Sequence, residues 1–127
     1  MAAIDAHVFV QLLVEKDAAQ VKKAEAFLKK GRPLWISTVV LAEACRVLPL
    51  LHSWSKAQLL AALRGLLDSP DFSIQSADIV RLAVELYATA KADFPECLAL
   101  ELARAEGLLP MGTFNRDTGS LPGASTL

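Results

Sequence analysis

The sequence has few of the residues that mark metal-thiolate, secreted and membrane proteins. Its 127 residues include two cysteines, Cys45 and Cys97, and two histidines, which do not have the spacing of a zinc site. Both cysteines lie in apolar helical patterns, which predicts buried free thiols and a reducing compartment. No apolar run reaches the roughly 18 residues of a membrane span. The N-terminal residues carry an early acid and no basic segment, so we expect no signal peptide, a cytoplasmic location and no membrane partner.

The sequence also lacks an excess of charge of either sign. Lysine and arginine total 13, and aspartate and glutamate total 14, for a formal net charge of −1. A strongly basic chain would indicate a polyanion as partner, so here any contact with nucleic acid has to come from a local patch. A basic patch on one predicted helix consists of Lys22, Lys23, Lys29, Lys30 and Arg32. A solvated helix face is the ordinary interpretation of this patch, and contact with RNA is the alternative.

Repeats, linkers and low-complexity segments are absent as well, and 54% of the residues are hydrophobic. That fraction suffices for a core, and the length predicts one domain over residues 1–127. Short apolar runs predict strands at about 2–4, 34–36, 72–74 and 108–113, with an edge strand within 121–127. Helical periodicity predicts helices at about 8–14, 18–30, 39–51, 56–68, 77–91 and 93–105. Strands that alternate with helix pairs indicate an α/β fold with a largely parallel sheet.

Polar residues at the predicted helix starts indicate how the helices begin. The predicted N-caps are Asp17, Ser37 or Thr38, Ser55 and Ser76. Gln20 and Gln58 follow two of these caps by three residues and complete the pattern of a capping box. The helix at about 39–51 is apolar around nearly its whole circumference, which predicts that it is buried.

Acidic and amide side chains are predicted to meet at one edge of the sheet. Ligand sites in parallel sheets form beyond the carboxyl ends of the strands. Asp5 follows the first strand, and Asn115 and Asp117 follow the fourth. Three further acids lie on helices expected to reach the same edge; they are Glu43, Asp93 and Glu96. Carboxylates brought together repel each other unless a cation joins them, and hard oxygen ligands suit Mg²⁺ or Mn²⁺. Such an ion polarises a phosphodiester and activates water for attack on it.

Each acid also has a purely structural interpretation. Asp93 and Glu96 form the pattern of a capping box with proline in the first turn. Glu43 has a partner for an ion pair at i, i+3 in Arg46, although an acid within an apolar run is costly to bury without a strong partner. Asp5 fits an N-cap, and Asp117 alone fits a turn. The order and spacing of the whole set, rather than any single acid, favour a functional site.

Four segments together resemble the PIN-domain ribonucleases, and within them the VapC-type toxins of bacterial toxin–antitoxin pairs. The segments are AIDAHVFVQLL, ISTVVLAEACRVL, ADFPECLALELARAEG and GTFNRDTGSLPG. The resemblance covers essentially the whole chain. It implies a PIN-like α/β/α sandwich with a central, mainly parallel sheet of four to five strands.

The resemblance carries over to the candidate residues one by one. Asp5 and Glu43 match the first two metal-site acids of the family, and Asp93 matches an additional Asp of this subgroup. Glu96 stands where the third acid is usually an Asp, so it keeps the charge and adds a methylene. Asn115 stands where a fourth acid is usual, and it offers a carbonyl oxygen without charge.

Other departures and supporting residues surround this set. Ala6 and His7 replace the usual Thr-Asn after the first acid. His7 therefore either contacts the substrate or the groups that surround the metal ligands, or has no functional role. Asp117 and Thr113 are the remaining supporting candidates, because they flank Asn115 in the chain.

The resemblance implies two functions that differ in chemistry. The first is a toxin that uses Mg²⁺ or Mn²⁺ to hydrolyse RNA, with Asp5, Glu43, Asp93 and Glu96 as catalytic acids. In this reading Asp5, Glu43, Glu96 and Asn115 are the metal ligands, and Arg46 and Arg116 contact phosphates. The second is a binding module that keeps the fold and binds an antitoxin or RNA without cleavage. The implied partners are an RNA substrate, a cognate antitoxin that neutralises the acidic groove, and a second copy of the chain in a homodimer.

Overall fold

Five strands and seven helices alternate along the chain in this computed structural model, which describes all 127 residues. The residues divide into two units, 1–77 and 78–127, and each is described by itself. The elements of the first unit are β1 (Ala2–Ala3), α1 (Ala6–Val14), α2 (Ala18–Gly31), β2 (Leu34–Ile36), α3 (Thr38–His52), α4 (Lys56–Asp68) and β3 (Phe72–Ile74). The elements that follow are α5 (Ala77–Thr89), α6 (Phe94–Ala105), β4 (Met111–Thr113), α7 (Arg116–Gly119) and β5 (Ala124–Thr126).

The first unit is built on a parallel sheet with the strand order β1-β2-β3. Ala2 pairs with Leu34, and Leu34 pairs in turn with Phe72. Each crossover between neighbouring strands is a pair of helices, the connection that parallel strands require. The three strands therefore end at one edge, and their next polar residues lie along it.

The core of this unit lies against β2. Leu34 and Ile36 are fully buried, as expected for the central strand of a parallel sheet. Phe9 of α1 is buried too, and its ring meets that of Phe72 edge to face at a centroid distance of 6.3 Å. Burying such side chains stabilises the fold by roughly 1.5–3 kcal/mol each, so this core holds the start of α1 in place.

The second unit contains a two-stranded parallel sheet of β4 and β5, with Met111 opposite Ala124. Arg104 of α6 donates to the Pro122 carbonyl at 2.6 Å. Gly107, with φ of 72°, ends α6 where the sequence predicts. The Leu108 N–H then bonds the Ala103 carbonyl, which completes a Schellman-type C-cap.

The structure confirms the α/β class and the parallel pairing of the strands. The strands β1, β2 and β3 form one sheet, and β4 and β5 form a second sheet. The helix bounds agree with the predicted ones to within about two residues. None of the helices combines the length and the apolar character needed to cross a membrane.

Two sequence predictions about the helices are wrong. The helix α3 is not buried all round, because Val39 is 65% exposed and Leu50 is 81% exposed. Only the stripe that contains Leu41 and Leu48 faces the core. Ser76 precedes α5 with φ of 52°, in the left-handed region rather than the extended conformation of an N-cap.

Of the two predicted capping boxes, one forms completely and the other forms in part. The box at Ser55 and Gln58 forms completely. The box at Asp17 forms only in part: the Asp17 carboxylate accepts from the Gln20 N–H, but the Gln20 side chain bonds His7 instead of reaching back. The Asp17 N–H donates to the side chain of Gln11 at 3.3 Å, so α1 supplies the acceptor that the box lacks.

Substitution of Gly119 tests the close approach of α7 to β5. A Cβ at Gly119 would overlap the hydroxyl of Thr126 and lie 2.9 Å from its Cβ. We expect Gly119→Ala to lower the free energy of unfolding by about 2 kcal/mol, measured by urea denaturation. The matched control is Gly65→Ala in α4, where nothing lies within 4 Å of the new Cβ. This variant should be more stable than the native chain by about 0.5–1 kcal/mol. A Gly119→Ala protein as stable as the native one would contradict the packing.

Candidate functional site

Asp5 lies two residues after the end of β1 and caps α1. Its backbone is extended, and its Oδ1 accepts the Val8 N–H at 3.0 Å. Its side chain is exposed at the carboxyl edge of the three-stranded sheet. The structural interpretation of Asp5 as a cap is therefore correct. A carboxylate has two oxygens, so capping fixes the orientation of Asp5 and leaves its second oxygen for another partner.

Glu43 lies on α3, which packs against α1 in the same unit. The sequence predicts an acid in a buried run, but the structure places Glu43 on the exposed stripe of the helix. The carboxylate of Glu43 is thus exposed to solvent.

Asp93 stands at the N-cap position of α6, but its side chain makes no capping hydrogen bond. The predicted capping box with Glu96 does not form. Proline in the first turn removes one N–H that would need an acceptor, which reduces the need for a cap. Asp93 is exposed and Glu96 is half-buried in the first helical turn, where the positive end of the helix dipole favours an anion. These two acids lie close together in the second unit.

Asn115 caps α7 with the atom that would otherwise be its metal ligand. Its Oδ1 accepts the Thr118 N–H at 2.9 Å, and its own N–H donates to the Thr113 hydroxyl at 3.0 Å. Asparagine and aspartate are equally good at an N-cap, so local structure does not demand a carboxylate here. Asp117 is exposed in the first turn of α7.

The candidate phosphate-binding residues are exposed, but they differ in their surroundings. Arg46 lies on the exposed stripe of α3, and Arg116 is the first residue of α7. The four lysines of the basic patch are exposed on α2. Arg32 pairs with Asp71 at 2.8 Å, an ion pair that the sequence analysis did not predict.

His7 lines a cleft of about 480 Å³ between α1 and α2, which Asp5 also lines. The His7 Nε2 lies 3.2 Å from the Gln20 Oε1. Lys23 of the basic patch also lines this cleft, together with Gln11 and Gln20, which the sequence analysis did not select as site residues. Their signal was the helical spacing that puts Gln20, Lys23 and Phe27 on one face of α2.

Gln75 is a second residue that sequence reasoning missed. It follows β3 at the carboxyl edge of the sheet, and its Oε1 accepts the Thr38 N–H at 2.9 Å. This bond joins the end of β3 to the start of α3.

Both cysteines are free and buried, as the sequence predicts. Burial raises the pKa of the Cys45 thiol to about 12, because the apolar surroundings disfavour the thiolate. Cys45 is therefore neither a nucleophile nor a metal ligand at neutral pH.

The carboxylates are chemically suited to a hard divalent ion, but the structure does not assemble a complete binding group within either unit. Neither unit by itself gathers three His, Cys, Asp or Glu side chains that could hold a metal ion. Asp5 and Glu43 belong to the first unit, and Asp93, Glu96 and Asn115 belong to the second.

Comparison with known proteins identifies the family. The sequence profile of the PIN domain family matches residues 2–123. The chain belongs to the PIN domain family. PIN domains are generally nucleases, and many are metal-dependent ribonucleases. No curated protein and no solved structure matches the chain. The match confirms the predicted PIN fold and runs across both units, while a single domain over residues 1–127 stays a prediction.

Variants at Asn115 test its role as a cap in this PIN domain. Asn115→Ala removes the acceptor of the Thr118 N–H and should lower the free energy of unfolding by about 1 kcal/mol. Asn115→Asp keeps the acceptor and should stay within about 0.5 kcal/mol of the native protein. Urea denaturation followed by circular dichroism measures both. Equal stability of the Ala variant and the native chain would show that the capping bond contributes nothing.

Proposed function

We propose that this PIN domain is a divalent-metal-dependent endoribonuclease of the VapC toxin type that acts in the cytoplasm. The observation that carries the proposal is that three of the acids expected of such an enzyme, Asp5, Glu43 and Asp93, have exposed side chains at the N-cap or in the first half of a helix. Asp93 makes no capping bond, Glu43 lies on the exposed stripe of α3, and Asp5 keeps one oxygen beyond its cap. Exposed carboxylate oxygens are the natural ligands of Mg²⁺ or Mn²⁺.

In this proposal Asp5, Glu43 and Glu96 hold the ion with help from Asp93. The ion supplies positive charge that polarises the phosphodiester. The capping bond from Val8 holds the Asp5 carboxylate in one orientation, which lowers the entropy cost of ligation. Arg46 and Arg116 have exposed side chains, and in this proposal they would contact RNA phosphates. Such contacts fix the position of the RNA without reading its sequence.

A catalytically impaired binding module is the second candidate function, and Asn115 favours it. Its Oδ1 is already bonded to the Thr118 N–H, and it carries no charge for a cation. A site with one carboxylate fewer attracts a divalent ion more weakly. The protein would then bind its antitoxin or RNA without cutting.

We also propose an antitoxin as a protein partner. Arg or Lys side chains of an antitoxin would neutralise the exposed acids through charge-assisted hydrogen bonds. Such complementary charge favours correct pairing of the two proteins and speeds their encounter.

Manganese binding tests the enzymatic proposal. We expect calorimetry on the antitoxin-free protein to show Mn²⁺ binding between micromolar and sub-millimolar affinity, and Asp5→Asn to abolish it. The matched control is Asp17→Asn, which makes the same change at an N-cap with the same bond outside the acid set. Asn115→Asp should tighten binding, because it adds a carboxylate.

Two results would contradict the metal-dependent mechanism. The first is no binding up to about 10 mM Mn²⁺ in the folded protein, a concentration beyond the weakest functional sites for comparable ions. The second is an equal loss of binding in Asp5→Asn and Asp17→Asn, since this would trace the effect to the removal of one negative charge anywhere on the surface rather than to a specific ligand. Either result would leave the binding module as the better description.

A homodimer is the remaining proposed assembly, and the apolar surface of α3 supports it. Leu50 is 81% exposed and Leu51 is 68% exposed, next to each other at the end of the helix. Leucines exposed to this degree side by side suit an interface with a second copy.

Light scattering after gel filtration tests the dimer. We expect the native protein to show twice the mass of one chain and Leu50→Glu to shift it towards the monomer, because a charge in an apolar interface is costly. The control is Leu108→Glu, at a leucine that is 69% exposed in the other unit, which should leave the mass unchanged. A monomeric native protein at about 100 μM, well above ordinary dimer affinities, would contradict the proposal.

A further inference from the structure

The cleft between α1 and α2 has the size and lining of a small-ligand site. Its volume of about 480 Å³ lies within the roughly 300–1,000 Å³ typical of such sites. Val8, Ala24 and Phe27 contribute apolar surface to its wall. Polar side chains converge on the same space, and one of them belongs to Asp5, so the cleft opens beside a proposed catalytic acid.

Two glutamines in the cleft are oriented by bonds to the protein. In the tautomer with the ring proton on Nε2, His7 donates to the Gln20 Oε1 at 3.2 Å, and the Gln11 Oε1 accepts the Asp17 N–H at 3.3 Å. Each glutamine therefore uses its carbonyl oxygen within the protein and keeps its NH₂ group as a donor. The ammonium group of Lys23 is a third donor in the cleft lining. A ligand that complements these three donors has to present acceptors to them, with the Asp5 carboxylate as the acceptor at one end of the lining.

The charge of α2 favours an anionic ligand. This helix carries four lysines against one glutamate, although the whole chain has a formal net charge of −1. Lys23 lines the cleft itself. A ligand with a flat apolar surface, acceptor groups along its edge and a phosphate would match all three properties of the site.

We propose that the α1–α2 cleft is a subsite for one unstacked nucleotide of the RNA, and that it prefers guanine or uracil. The proposal rests on the function proposed above, because it places this nucleotide next to the phosphodiester that Asp5 serves. Guanine O6 and uracil O4 are keto oxygens, which would accept from the NH₂ groups of Gln11 and Gln20. At the same position of the base edge, adenine N6 and cytosine N4 are amino groups, which would face those donors with another donor. Unstacked bases are the usual targets of sequence-specific RNA recognition.

The first experiment titrates the four nucleoside 5′-monophosphates into the full chain under NMR observation, in buffer with EDTA. We expect the guanine and uracil nucleotides to bind at least about fivefold more tightly than the adenine and cytosine nucleotides, the discrimination of one good hydrogen bond. Amide shifts should centre on the residues of α1 and α2 that line the cleft. No binding at millimolar concentration, or equal binding of all four, would overturn the proposal.

Gln20→Glu tests the base preference directly. It keeps the length of the side chain and replaces its donor by an acceptor. The added negative charge weakens every phosphate-bearing ligand alike, so the quantity to compare is the ratio between nucleotides. We expect this ratio to shift by about tenfold towards adenine and cytosine. An unchanged ratio would show that Gln20 does not read the base.

A pair of lysine variants distinguishes the contribution of the cleft to nucleotide binding from that of the general positive charge of α2. Lys23→Ala should weaken binding of the guanine nucleotide by about tenfold. Lys30→Ala removes the same charge from the same helix outside the cleft and should weaken it by less than about twofold. Equal losses in the two variants would mean that the phosphate feels only the diffuse field of the helix, and would overturn the subsite.

Because these titrations contain no divalent ions, they measure nucleotide binding separately from metal-dependent cleavage of RNA. Nucleotide binding with the expected preference in a protein that binds no Mn²⁺ would support the subsite and contradict the enzymatic function. A protein that cleaves RNA but binds none of the four nucleotides would support the enzyme and contradict the subsite.

Discussion

The candidate site depends on one constraint: the free N–H groups at the start of each helix that follows a strand need a hydrogen-bond acceptor. A chain that turns from a strand into a helix leaves amide N–H groups without partners, and a side chain just after the strand has to accept from them. Asp5 after β1, Ser37 after β2 and Asn115 near the end of β4 all do so. These positions are also the carboxyl ends of parallel strands, where ligands bind. Capping and ligand binding therefore compete for the same side chains.

The candidate residues resolve this competition in different ways. A carboxylate has enough acceptor capacity for both tasks, so Asp5 caps α1 with one oxygen and keeps the other. Asn115 has a single side-chain oxygen, and the cap engages it. Asp93 is at a cap position without capping. Helix capping thus uses the side-chain oxygen of Asn115 and one of the two oxygens of Asp5, but neither oxygen of Asp93. Because asparagine caps a helix as well as aspartate does, Asn115 can replace the fourth acid of the family pattern without a loss of stability.

The cleft beside Asp5 shows how an interrupted capping pattern creates a binding surface. In a complete box the Gln20 side chain would return to the N-cap N–H, but here it bonds His7 of α1. Gln11 of α1 in turn accepts from the Asp17 N–H. The two helices are therefore joined by side-chain bonds across the cleft, and these bonds orient the amide donors that give it chemical selectivity. His7, which replaces a usual family residue, takes part in that arrangement.

The sequence alone determined the features that depend on local chemistry. The bounds of β2, β3 and α4, the box at Ser55 and the end of α6 at Gly107 follow from periodicity and from residues that suit helix ends. Tertiary structure decided whatever depends on a second element. The prediction that α3 is buried all round was wrong, because an apolar composition does not show which side of a helix the rest of the protein covers. The partners of Gln20, Arg32 and Gln75 lie 13 to 39 residues away in the chain, and at such separations packing, rather than local spacing, decides which polar groups meet.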